Sequence, residues 1–171
     1  MSKNLIVYFS RTGENYWNGS IKNIDKGNTE RVAEFVQQAV GGDLFEIEPA
    51  NPYAEDYYEC IDKAKAELKA NARPEIKNYV DSIDEYDTIF LGYPNWWGTA
   101  PMCVFTFLEH YDFTDKRIVP FCTNEGSGMG KSEADLRRAC EGATVEPGLS
   151  IIGNRAAESQ QTAAAWARKF A

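Results

Sequence analysis

Histidine is almost missing from this sequence: His110 is the only one. A Ser/His hydrolase would have to rely on that residue, yet it stands near the end of a predicted helix, where a structural or merely exposed role suits it better. The four cysteines, Cys60, Cys103, Cys122 and Cys140, form no CxxC pair and no Cys/His cluster. That spacing speaks against a zinc site and against a dense disulfide framework. Long apolar runs are missing too, since no stretch approaches the roughly twenty residues that span a bilayer. Met1-Ser2-Lys3-Asn4 lead straight into a short apolar run with no small-residue cleavage site behind it. A membrane is therefore not an expected partner, and a reducing cytoplasm is the expected setting for four thiols. Basic charge is also short, with 18 Lys and Arg against 26 Asp and Glu and a net charge of −8. This is the wrong sign for gripping a phosphate backbone, so nucleic acid is not an expected partner. The acidic surplus serves solubility, and it would also steer the protein toward a basic partner.

What is present is enough apolar material for one core: 171 residues, 43% of them hydrophobic, read as a single domain over 1–171. Leu5 to Phe9 is a continuous run of strand-forming residues, as expected for a strand covered on both faces. Val32, Phe35, Val36, Ala39 and Val40 then recur at helical spacing until Gly41-Gly42 stops them. Leu44 to Ile47 reads as a second strand, and Tyr57, Cys60, Ile61, Ala64 and Leu68 mark a second helix face. Thr88 to Tyr93 is a third strand, followed by a helix whose first turn accommodates Pro101. Ile118 to Cys122 reads as a fourth strand despite Pro120, which a mid-sheet position disfavours. A helix near 132–141, an uninterrupted fifth strand within 144–152 and a last helix burying Ala163, Trp166, Ala167 and Phe170 complete the alternation. Strands alternating with helices predict a three-layer α/β sandwich around a five-stranded parallel sheet, in the order 2-1-3-4-5.

In such a sheet the ligand crevice lies beyond the carboxyl ends of the strands, where the winding reverses. Three unusual loops are predicted to converge there. The first is Ser10-Arg11-Thr12-Gly13, with the next helix opening near Asn28-Thr29. Hydroxyls, a flexible glycine and helix-start N–H groups suit a dianionic phosphate, although the same residue types also make ordinary turns and caps. The second, Pro94-Asn95-Trp96-Trp97-Gly98, sets two broad aromatic faces beside a backbone that a planar ring can approach. Either tryptophan could instead belong to the core. The third, Thr123-Asn124-Glu125-Gly126-Ser127-Gly128, is glycine-rich, so its amides are expected to turn toward acceptors on a ring edge.

The segments Tyr8 to Gly13, Tyr93 to Gly98 and Phe121 to Gly128 together resemble the FMN loops of the flavodoxin family, and the likeness extends along nearly the whole chain. The resemblance implies that Ser10 to Gly13 with Asn28 and Thr29 hold the FMN phosphate, while residues 94–98 and 123–128 enclose the isoalloxazine. It implies a non-covalent flavoprotein passing electrons between redox partner proteins, as a monomer or weak homodimer. The alternative is an NAD(P)H-dependent FMN reductase acting on quinone-like or other small acceptors. A signalling receiver domain shares the strand order but needs acidic residues after strand one, where this chain has Ser10-Arg11-Thr12. One departure from the family pattern is the stretch Glu14 to Gly27, which separates the phosphate loop from its helix. Its Tyr16, Trp17 and Ile24 lead to the expectation that it folds back, over the ribityl chain or against a second subunit.

Overall fold

The computed structural model describes residues 3–171; Met1 and Ser2 lie outside the described part. The central strand β1, Lys3–Tyr8, is buried along its length except at Lys3. It pairs in parallel with β4, Asp43–Glu46, on one side and with β5, Tyr86–Pro94, on the other. Beyond β5 lies β6, Arg117–Asn124, also parallel. The far position is shared by two short strands, β7 at Thr144–Val145 and β8 at Leu149–Ile152, both parallel to β6. The order β4-β1-β5-β6-β7 is the expected 2-1-3-4-5.

Alternation along the strands divides the core. Leu5, Val7, Ile89, Leu91 and Ile118 face one way, into a cluster with Phe107, Leu108 and Leu136. These come from helices α3, Met102–Glu109, and α4, Ser132–Ala139. Helix α2, Tyr57–Ala70, adds Leu68 to the margin of that cluster. Ile6, Phe90, Val119 and Phe121 face the other way, onto Val32, Ala33 and Val36 of α1, Asn28–Val40, and Ala163 and Ala167 of α5, Gln160–Arg168. Each fully buried aliphatic or phenyl side chain contributes about 1.5–3 kcal/mol, so both helical layers are held by burial.

Two features differ from the sequence-based expectation. The fifth strand is broken, because Glu146-Pro147-Gly148 separate β7 from β8. The break stands beside Pro120. Register runs from Ile118↔Val145 to Phe121↔Leu149, and the Glu146 N–H donates to the Ile118 carbonyl at 2.9 Å, so even-numbered residues of β6 face this edge. The N–H that Pro120 lacks thus points at the gap, which is how a proline sits in a fully buried strand. Pro101 likewise stands just before the first helical residue, Met102, rather than within the turn.

The second difference is a two-stranded antiparallel hairpin, β2 at Gly13–Trp17 and β3 at Ser20–Ile24, where the sequence pattern predicts no strands. Its turn is Asn18-Gly19, with φ of +49° and +93°. Positive φ at both central residues matches the right-handed twist of the flanking strands, and Asn-Gly is the pair that adopts it most readily. That dipeptide was the signal for the hairpin.

Candidate functional site

The carboxyl ends of β1, β5 and β6 open into one cleft of about 300 Å³. At one end, α1 begins without a side-chain cap of its own, since Gly27 occupies the N-cap position. Ser10 takes that role from outside: its Oγ accepts the Glu30 N–H at 3.1 Å. A Cβ on Gly27 would fall 1.9 Å from that Oγ, so only glycine lets the β1 loop and the helix start meet. Ser10 keeps its own proton to donate, and the first-turn amides of Asn28 and Thr29 have no acceptor four residues back in the helix. The positive helix end favours an anion here. Arg11 is fixed by its Nε donating to the Glu14 carbonyl and one terminal nitrogen donating to the Glu55 carbonyl, both at 2.9 Å.

The tryptophan loop forms the other end. Trp96 and Trp97 differ there. Trp96 is half-buried and lies edge-on between Phe9 and Tyr53, with centroids 5.2 and 4.9 Å away. Trp97 is 46% exposed and reaches α2, where its indole N–H donates to the Ile61 carbonyl at 2.9 Å. Trp97 and Gly98 have φ of +58° and +88°, inside a tight turn closed by Trp96 N–H to Thr99 O at 2.8 Å. A bulky residue in left-handed backbone is strained by about 1–3 kcal/mol, and such strain persists only when neighbours enforce it. Asn95 enforces it: its Oδ1 accepts from Gly98 N–H and its Nδ2 donates to the Gly128 carbonyl, both at 2.8 Å.

In the third loop, Asn124 Oδ1 accepts the amides of Gly126 and Gly128 at 2.9 and 3.0 Å. This corrects the expectation that those glycine amides face a ring edge. They fold inward onto Asn124, whose Nδ2 donates in turn to Ser150 Oγ at 2.8 Å. Thr29 and Thr123 share a buried hydroxyl–hydroxyl hydrogen bond of 2.8 Å, so these two side chains tie α1 to β6.

Of the residues singled out in the sequence, Arg11, Asn28, Pro94, Asn95, Trp96 and Trp97 line the cleft, as do Thr123, Asn124, Glu125 and Ser127. Ser10, Thr12, Gly13, Thr29, Gly98, Gly126 and Gly128 are not among the lining residues; Ser10 and Thr29 act through their hydroxyls on α1 and β6. Sequence reasoning missed the α2 wall, made by Tyr57, Cys60, Ile61 and Ala64, whereas the inserted stretch, expected to fold back, adds Asn15 and Tyr16 to the lining. The spacing 57-60-61-64 marks a helix face in the sequence but not what that face meets. Burial pushes the Cys60 thiol up from its ordinary range, against a smaller opposite pull from Arg11, so it stays protonated at neutral pH. His110 is remote from the cleft, stacked on Tyr79 at 4.0 Å.

The sequence profile of the flavodoxin family matches residues 22–170. This chain belongs to the flavodoxin family. It is 29% identical over 138 residues to a flavodoxin from Haemophilus influenzae, a match that takes in 76% of this chain but only 63% of that longer protein. A protein described as a candidate flavoprotein from Bacteroides eggerthii is 34% identical, with 99% of this chain and 98% of that one covered and a TM-score of 0.78. A flavoprotein from Lactobacillus acidophilus, solved in complex with FMN, is 21% identical over 94% of this chain and 99% of its own, and shares the fold with a TM-score of 0.65. For this flavodoxin-family chain, the profile begins inside the hairpin, after Ser10 to Gly13. No helix among the described residues is long and apolar enough to cross a membrane.

Proposed function

We propose that the protein binds FMN non-covalently in this cleft and passes electrons between redox partner proteins. Family membership and the FMN complex of the L. acidophilus relative support the cofactor. The donor set fits it. Ser10 and the amides at the start of α1 suit the phosphate, Arg11 lends positive charge to the cleft, and the walls made by Trp97 and Tyr16 suit a planar ring. When bound, FMN supplies a ring that accepts and releases electrons. The chain's own part is to hold the phosphate, wall the ring with aromatic and aliphatic groups, and set the charge around it. The observation that carries this reading is Trp97, held in a strained turn by Asn95 and thereby kept on the cleft rather than in the core. The acidic surface favours partners with basic faces.

One observation favours the reductase alternative. The wall made by Tyr57, Ile61 and Ala64 lies outside the three cofactor loops and gives a small second molecule an apolar surface. Reductive titration of the FMN-loaded protein, with and without NADH and NADPH, separates the two. The carrier reading expects tight FMN binding, two resolved one-electron steps and no prompt pyridine-nucleotide oxidation. Rapid NAD(P)H oxidation would establish the reductase, and absence of FMN binding would remove both.

A further inference from the structure

The inserted hairpin is attached by its two ends and has little core of its own. On β3 only Ile24, at the base, is buried, while Tyr16 and Ile21 are 44% and 37% exposed. An isolated two-stranded hairpin is marginal in water, so polar anchors must hold this one in place. At the base, the Glu14 carboxylate accepts the Tyr57 N–H at 3.1 Å, satisfying a first-turn amide of α2. At the tip, the Asn18 N–H donates to Glu125 Oε1 at 2.6 Å. The same carboxylate accepts the Asn154 side-chain amide at 3.0 Å and its backbone N–H at 3.1 Å. Glu125 thus joins three segments distant in sequence: the hairpin tip, the loop after β6 and the turn after β8. Between the anchors, Asn15 and Tyr16 line the cleft, and Tyr16 lies 6.3 Å from Tyr57.

We propose that β2–β3 is a latched strap across the cleft, that the Glu125 carboxylate is its latch, and that cofactor entry and exit both require the tip to lift. This rests on the cleft being the FMN site. The hinge is built in. Gly13 stands at the base with φ of +79° and open space around its Cβ position, and Ile24 opposite it stays buried as the pivot. At the tip Trp17 is partly buried while Tyr16 and Ile21 are exposed, so the latch adds a polar restraint to a limited apolar one.

Glu125→Ala removes the acceptor. In stopped-flow mixing with FMN, association and dissociation should both accelerate on the order of tenfold; faster association follows from loss of a latch and not from loss of a wall contact. Glu14→Ala, which releases the base anchor, should move both rates in the same direction. In the cofactor-free chain, hydrogen exchange of the amides in 14–24 should quicken in Glu125→Ala while β5 amides do not. Faster dissociation with unchanged association would make Glu125 an ordinary wall residue and overturn the proposal. So would unchanged hairpin exchange in the cofactor-free variant. If wild type fails to bind FMN, the cofactor reading fails separately, and hydrogen exchange still decides whether the latch exists.

Discussion

Two adjacent tryptophans carry different duties, and the backbone between them decides which. Trp96 is wedged edge-on among Phe9 and Tyr53, whereas Trp97 sits at a left-handed position that Asn or Gly would take with less strain. Trp97→Asn should therefore leave the unfolding free energy within about 1 kcal/mol of wild type, since relieved strain offsets the lost indole hydrogen bond. FMN affinity should fall about tenfold, as loss of one aromatic stacking face predicts. Trp96→Ala should instead cost about 2 kcal/mol of stability through lost packing. Denaturant titration beside flavin fluorescence quenching measures both. Equal behaviour of the two variants would contradict the division. The sequence placed both rings in one loop, and only the φ values and the Ile61 contact separate them.

At the scale of elements, the start of α1 shows how a cap can be borrowed. Gly27 offers no side chain, and Ser10, separated by the whole hairpin, satisfies the Glu30 amide. Ser10→Ala should cost about 1 kcal/mol of stability, the usual worth of an N-cap. It should weaken FMN more than riboflavin, because only FMN carries the phosphate that this helix end attracts. Parallel calorimetric titrations with the two flavins test this, and equal loss for both would place Ser10 away from the phosphate. The hairpin is legible in Asn18-Gly19, but its strands lack the regular apolar alternation that marks a strand in sequence. The broken fifth strand was less legible. Pro147 and Gly148 mark a turn locally, yet what makes the gap tolerable is Pro120 on a neighbouring strand.

Across the whole molecule, a net charge of −8 surrounds a cleft whose one cationic wall residue, among the described residues, is Arg11. Under the proposed carrier role, electron transfer to a basic partner should slow as ionic strength rises from about 0.01 to 0.15 M, over which the Debye length falls from about 30 to 8 Å. Stopped-flow rates across that range test the steering, and a salt-independent rate would remove it. By itself the sequence determined the layered sheet, the two buried faces and the three loops that gather at its carboxyl edge. Periodicity, glycine placement and composition act over a few residues and survive without knowledge of neighbours. The tertiary structure decided which groups are left free to meet a ligand. Asn124 accepts from two glycine amides, Thr29 and Thr123 bond to each other through one hydroxyl proton, and Glu125 accepts from the hairpin tip. Hydrogen-bond partners are won by competition among segments far apart in the chain, and that contest is settled only when the sheet brings them together.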